Sequence, residues 1–309
     1  MMMLLRSRSL AAAARVGANQ HRVFSATTFD GDMARLYMNF FNQAEPAWKL
    51  TEEIVRDAQS TIEGNKPLGK ILDIASGPGE PSLTLAKAHS QARVFCTDGA
   101  EAMNALAEGR VKDAGLESRI SVHLMDLNDF SPVRSHAPFD LVTAQFALMF
   151  TEDFPGSLGC IHDSLSDEGG LLVGTVWEEF FILPLLKDTM TKVLGETPPP
   201  PPINPLSLAD RSLVDDSLAA AGFKTIGRHN ETAGITINIG AFENEDTIKT
   251  ALLPVTPALI ELEEKKGAGI MDIATDAMRD AIVSHGMINT DGDVEIHEST
   301  YRYIVAQKA

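Results

Sequence analysis

Acidic side chains set around a glycine turn are the residues of this 309-residue chain best arranged for chemistry. The run ILDIASGPGEPSL at 71–83 reads as an apolar strand of Ile71, Leu72 and Ile74 that carries Asp73 and breaks into Gly77-Pro78-Gly79. Pro81 suits the first turn of a following helix, where its missing N–H costs nothing. Amides at such a helix start commonly hold a phosphate. Here Asp73 and Glu80 would set two carboxylates beside those amides, so the pattern favours a ligand that carries positive charge and no phosphate. The next strand, in ARVFCTDGAEAM at 92–103, ends in Asp98, 19 residues beyond Gly79. That offset is near the ~20 residues at which an acidic side chain accepts ribose hydroxyls in nucleotide-binding βαβ units. A third strand, in RISVHLMDLNDF at 119–130, ends at Asp126.

S-adenosylmethionine joins an ammonium and a sulfonium to a nucleoside. Asp73-Ile74-Ala75-Ser76-Gly77-Pro78-Gly79 resembles the first motif of class I S-adenosylmethionine-dependent methyltransferases, a hydrophobic strand, an acidic residue and G-x-G-x-G, with Ala75 where the first glycine commonly stands. The resemblance implies that Asp73, Ala75, Ser76, Gly77, Pro78 and Gly79 hold the donor. It also implies that Gly99 lets the chain pass the ribose, that Met103 packs on adenine, and that Asp126 and the Leu127 N–H receive the adenine edge. A helix cap at Asp98 and a core role for Met103 are compatible readings. FDLVTAQFALMF at 139–150 resembles the fourth motif. Ligands of open α/β sheets sit beyond the carboxyl ends of strands, which makes Gln145 and Phe146 candidates for the methyl-transfer centre. Phe146 and Met149 read equally well as packing residues.

The elements that must position these residues follow from pattern. A helix is expected at about 81–89, another through about Ala114, and a third from Asp153 to Ser166, stopped by Gly169-Gly170. GLLVGTVW at 170–177 reads as strand five. SLADRSLVDDSLAAAG at 207–222 reads as a helix with Ser207 and Asp210 at capping-box spacing and Gly222 at its end. A strand starts at Phe223, and STYRYIVAQ at 299–307 alternates as a last strand should. By resemblance the last strand enters antiparallel. The fold class is then α/β, a Rossmann-like, seven-stranded, mostly parallel sheet with flanking helices and helical lid insertions.

Two insertions, 178–206 and 242–285, are expected to form the lid within a domain of residues 67–309. The first contains Phe180, Phe181 and a proline tract from Pro198 to Pro202 that neither helix nor inner strand accommodates. Residues 25–66 read as a helical segment over the active site, with Tyr37, Phe40, Phe41 and Trp48. Tyr37 is a catalytic candidate by analogy with the family, with core packing the competing reading.

The net charge of −17 disfavours nucleic acid, whose binding rests on clustered Lys and Arg. Cys96, Cys160 and the 8 histidines show no metal spacing, so no metal is expected. No run reaches the ~20 apolar residues of a transmembrane segment. Residues 1–24 carry Arg6, Arg8, Arg15 and Arg22 and no acid, the pattern of an organellar targeting peptide. Arg22-Val23-Phe24-Ser25 resembles a mitochondrial processing site, so mitochondrial import is expected, with plastid and cytoplasm as alternatives. The expected partner is a small acceptor, apolar or aromatic; no protein partner is indicated. Two other readings stay open. One is a methyltransferase-like accessory protein without turnover. The other is a nucleotide-dependent oxidoreductase, which lacks the third glycine because Ser82 stands there.

Overall fold

The computed structural model describes residues 36–38, 41–62, 66–200 and 204–309. The leader expected at 1–24, Phe40 and the last two prolines of the tract lie outside them.

Helix α1 (Glu45–Ser60) opens with Pro46 and buries Ala47, Trp48, Thr51, Ile54, Val55 and Ala58, a single stripe at helical spacing. The sheet begins with β1 (Lys70–Asp73), followed by α2 (Ser82–Ala88), β2 (Arg93–Asp98), α3 (Glu101–Asp113) and β3 (Ile120–Leu124). β4 (Leu141–Gln145), α4 (Phe154–Ser164) and β5 (Leu171–Glu179) complete the parallel part. Strands β1, β4 and most of β5 are buried on both faces, which is why they read as continuous apolar runs rather than alternating ones.

With β6 at Phe223–Thr225 and β8 at Asp293–Lys308, the order β3-β2-β1-β4-β5-β8-β6 puts consecutive β1, β2 and β3 on one side and returns the chain to the other side of β1 as β4. Beyond the carboxyl ends of β1 and β4 lies the crevice where open α/β sheets bind ligands. Strand β8 (Asp293–Lys308) runs antiparallel to β5, with Thr175 opposite Tyr303 and Trp177 opposite Tyr301.

Among the described residues the sheet has eight strands, one more than expected. After α5 (Ile182–Leu194), α6 (Arg211–Ala220) and the short β6 (Phe223–Thr225), the chain forms β7 (Thr232–Ala241), which pairs with β8 alongside β6. Gly234 and Gly240 weaken the alternating pattern of β7, and two register shifts interrupt its ladder, so local sequence did not mark it. β8 starts at Asp293 rather than Ser299, and its first residues run past the end of β5.

α7 (Glu245–Leu252), α8 (Thr256–Lys266) and α9 (Ile270–Ser284) follow β7. Helices α5 and α9, one from each insertion, pack together. Lys192 pairs with Asp280, His285 with Asp188 at 2.8 Å, and Thr189 lies against the Met278 sulfur. The cap of α6 also differs from its reading. Asp210 alone is the N-cap, accepting the Ser212 and Leu213 amides, while the Ser207 hydroxyl donates to the Met149 carbonyl. Among the described residues no helix is long and apolar enough to cross a membrane.

Candidate functional site

The turn after β1 is built by buried polar bonds. Asp73 is fully buried; its Oδ2 accepts the Ser82 N–H at 2.9 Å and the Ser82 hydroxyl at 2.7 Å, and its Oδ1 accepts the Thr143 hydroxyl at 2.7 Å. It thereby ties β1 to β4 and to the start of α2. Burial raises its carboxyl to about 7 against the lowering effect of those bonds. Glu80 accepts the Thr84 N–H and hydroxyl and pairs with Arg110 at 3.0 Å, while Arg110 also donates to the Pro78 carbonyl at 2.7 Å. These bonds correct the charge argument from sequence. Asp73 is turned inward and Glu80 is neutralised, so neither stands as a free charge facing a ligand.

Asp98, ending β2, is the carboxylate at the turn. It accepts the Gly77 N–H at 3.0 Å and the Ala100 N–H at 2.8 Å, and burial raises its carboxyl above the usual range. Backbone amides of Gly77, Gly99 and Ala100 use only part of the acceptor capacity of its two oxygens, which leaves lone pairs for hydroxyl donors. Gly77 and Gly79 have φ of +54° and +103°, a region side chains rarely adopt. Ala75, where a glycine commonly stands in the motif, takes φ +52° and so holds the same bend with strain. Ser76 is buried, its hydroxyl on the Thr97 carbonyl and the Cys96 sulfur. Gly99 lies by the Met125 carbonyl, and Met103 is buried on α3. Asp126 is exposed, accepting the Asn128 backbone and side-chain N–H groups, and Leu127 is half-buried beside it.

The leading segment covers this turn. A Cβ on Gly77 would meet Phe41 at 3.8 Å and the Tyr37 hydroxyl at 4.0 Å. Burial and the neighbouring Asp98 charge push the Tyr37 phenol up, so it is not poised to lose its proton near neutral pH. Arg110 lies over the Phe41 ring at 5.5 Å. A groove of about 780 Å³ runs between α1 and α2, lined by Phe41, Glu80 and Arg110 among others; none of Gly77, Asp98 and Phe146 lines it. The chemistry of the turn therefore lies beneath Tyr37 and Phe41 rather than in that groove.

A second cluster gathers at the carboxyl ends of β4 and β5. Gln145 ends β4, accepting the Thr51 hydroxyl at 3.1 Å. Phe146 has φ +50° and donates its N–H to the Thr175 hydroxyl at 2.9 Å. Its ring stacks on Trp177 at 4.3 Å, with Tyr301 edge-on at 5.1 Å and Trp48 at 6.1 Å. Trp48 meets Phe41 at 5.3 Å, so α1 joins this cluster to the glycine turn. Tyr303 donates to the Ala47 carbonyl at 3.0 Å. Sequence reasoning passed over Trp177, Tyr301, Tyr303 and Thr51. The period of two in STYRYIVAQ was the available signal, since it puts both tyrosines on one face.

A nucleoside fits this donor set. Gly77 and Gly79 offer backbone without side chains, and Asp98 offers acceptors for ribose hydroxyls. Among the described residues no group of three or more His, Cys, Asp or Glu is arranged to hold a metal ion.

Residues 71–169 match the family model for a methyltransferase domain. An uncharacterized protein of Haemophilus influenzae is 32% identical over 141 residues, 43% of this chain; the chain spans 54% of that relative's length. A demethylmenaquinone methyltransferase of Leptospira interrogans is 25% identical over 214 residues, covering 65% of this chain and 84% of the relative. Escherichia coli YjhP shares the fold, with a TM-score of 0.50 at 15% identity over 86% of this chain and 92% of YjhP.

Proposed function

From the premise that residues 71–169 form a methyltransferase domain, we propose that the protein transfers a methyl group from S-adenosylmethionine to a small, apolar or aromatic acceptor. The observation that carries this reading is the bare glycine turn with the Asp98 carboxylate beside it, at the point where strand order reverses between β1 and β4. Asp98 holds the ribose, Gly77 and Gly79 admit the donor backbone-close, and Met103, Asp126 and Leu127 belong to the adenine side. Asp73 acts one layer below, fixing the turn through Ser82 and Thr143.

When bound, the donor supplies an activated methyl on a sulfonium. The chain's part is alignment and exclusion of water, and positioning alone reaches effective molarities of about 10⁵–10⁸ M. The aromatic cluster of Phe146, Trp177 and Tyr301 provides an apolar wall for the acceptor. The leading segment and the α5–α9 pair close over it.

Incubating the full chain with donor labelled in its methyl group and a metabolite extract, followed by mass spectrometry, tests the reading. A labelled product supports it. Donor binding without any product favours the accessory reading. One observation speaks for a nucleotide-dependent oxidoreductase: Arg110 neutralises Glu80 and brings a cation to the turn. Spectral titration with NADH decides between the two. We also assign residues 1–24 to mitochondrial import; a fluorescent fusion lacking them should lose organellar localisation.

A further inference from the structure

We infer that Arg110 is a positioning residue that latches Phe41 over the glycine turn, so that the rates at which the methyl donor enters and leaves depend on its guanidinium. The inference concerns the regulation of the proposed donor site and rests on that reading.

Arg110 stands in the last turn of α3 and joins two stretches that are far apart in sequence. Its Nη1 donates to the Pro78 carbonyl at 2.7 Å and its Nη2 to Glu80 at 3.0 Å. The other Glu80 oxygen accepts the Thr84 N–H at 3.1 Å and the Thr84 hydroxyl at 2.8 Å, so this acceptor is itself fixed to α2. Ala107, three residues earlier on the same face of α3, lies 3.4 Å from where a Cβ on Gly79 would stand. The turn therefore holds the guanidinium at two points, and the pair is only partly exposed, 31% at Arg110 and 10% at Glu80. In that orientation the guanidinium carbon sits 5.5 Å from the centre of the Phe41 ring.

Phe41 is the cover. It is buried, comes within 3.8 Å of a Cβ placed on Gly77, and has its ring centre 5.9 Å from Tyr37 and 5.3 Å from Trp48. A donor seated on Gly77 lies under this ring, so the ring must move for the donor to pass. On its outer side Phe41 faces, with Arg110, the groove of about 780 Å³ between α1 and α2, which supplies the space for that movement. Release from Arg110 is then part of the barrier. Arginine suits this task because its planar fork donates along its edge while its face stays free for a ring, whereas a lysine ammonium is a single point that cannot serve both partners in this geometry.

The test follows S-adenosylhomocysteine binding to the full chain by stopped-flow tryptophan fluorescence, with Trp48 beside Phe41 as reporter. The slope and intercept of the observed rate against ligand concentration give association and dissociation, and calorimetry gives the affinity. Arg110→Met and Phe41→Leu should each raise both rates about two- to fivefold, the worth of a cation–ring contact. Affinity should change less than either rate, because a latch sets a barrier rather than a contact with the donor. The two substitutions together should give about the factor of one alone and not the product, since both remove the same contact. Arg110→Lys should exchange as fast as Arg110→Met. Wild-type rates in Phe41→Leu or in Arg110→Lys, or multiplied effects in the double variant, overturn the inference, and the first of these needs no substitution at Arg110 to fold. Weaker affinity with unchanged association in Arg110→Met also overturns it, since the role is then confined to the turn. If the wild-type chain binds no S-adenosylhomocysteine by calorimetry, the methyl-transfer reading falls and the latch with it; binding at rates indifferent to both residues removes the latch alone.

Discussion

Asp73→Asn should stabilise the fold at pH 8, by up to about 4 kcal/mol. The carboxyl is fully buried and burial raises it from an ordinary 3.8 to about 7, in spite of bonds from Ser82 and Thr143. In the unfolded chain the same group ionises near ~3.9. Between these values the unfolded chain releases a proton that the folded chain keeps, so stability falls as pH rises from about 4 to about 7. Below pH ~4 both states carry the proton and the loss is absent. The gap spans about three pH units, and at ~1.36 kcal/mol per unit it amounts to about 4 kcal/mol. Asparagine is never ionised. Its Oδ1 can accept from the Ser82 amide and hydroxyl, and its amide can donate to the Thr143 oxygen, so the bonds at the turn are largely kept. The assay is denaturant unfolding of both proteins at pH 4, 5, 6, 7 and 8; groups common to both cancel in the difference. The variant's advantage should grow by about 1.4 kcal/mol per pH unit up to pH ~7 and then level off. A pH-independent difference, or a variant that loses ground as pH rises, would refute the reasoning, since it would mean that Asp73 is already ionised in the fold at low pH.

Asp98→Ala should weaken S-adenosylhomocysteine binding about tenfold or more, because the ribose loses a charged acceptor; unchanged calorimetric affinity removes Asp98 from the donor site. Gly77→Val should abolish donor binding with the fold intact by circular dichroism, since φ is +54° and the branched side chain enters space beside Phe41 and Tyr37. Full binding by that variant would show that the turn does not line the pocket. Phe41→Ala should speed donor association in stopped flow severalfold, because the ring lies over Gly77. An unaltered rate would mean that the leading segment is no barrier to entry.

Much of the fold was legible because β1, β4 and most of β5 are continuous buried runs, and β1 and β2 end in residues with distinctive chemistry. Leu72 and Ile74 flank a buried Asp73, and Asp98 closes β2 where the spacing from Gly79 required. The additional strand β7 was not legible, since it carries glycines and pairs along the first part of β8 through an interrupted ladder rather than by an alternating pattern of its own.

The candidate site divides in the same way. The motif from Asp73 to Gly79 and the acid at Asp98 are local in sequence, so residue type and spacing alone fixed where a cationic nucleoside would be sought. What those residues bond to lay beyond reach of the sequence. Asp73 meets Thr143 across 70 residues, Glu80 meets Arg110 across 30, and Thr51 meets Gln145 across 94. The stack of Phe146 on Trp177 likewise depends on two strands ending side by side. Sequence determined the chemistry available at the turn; only tertiary packing decided which charges are neutralised and which rings cover the cleft, because each depends on contacts that long-range folding alone creates.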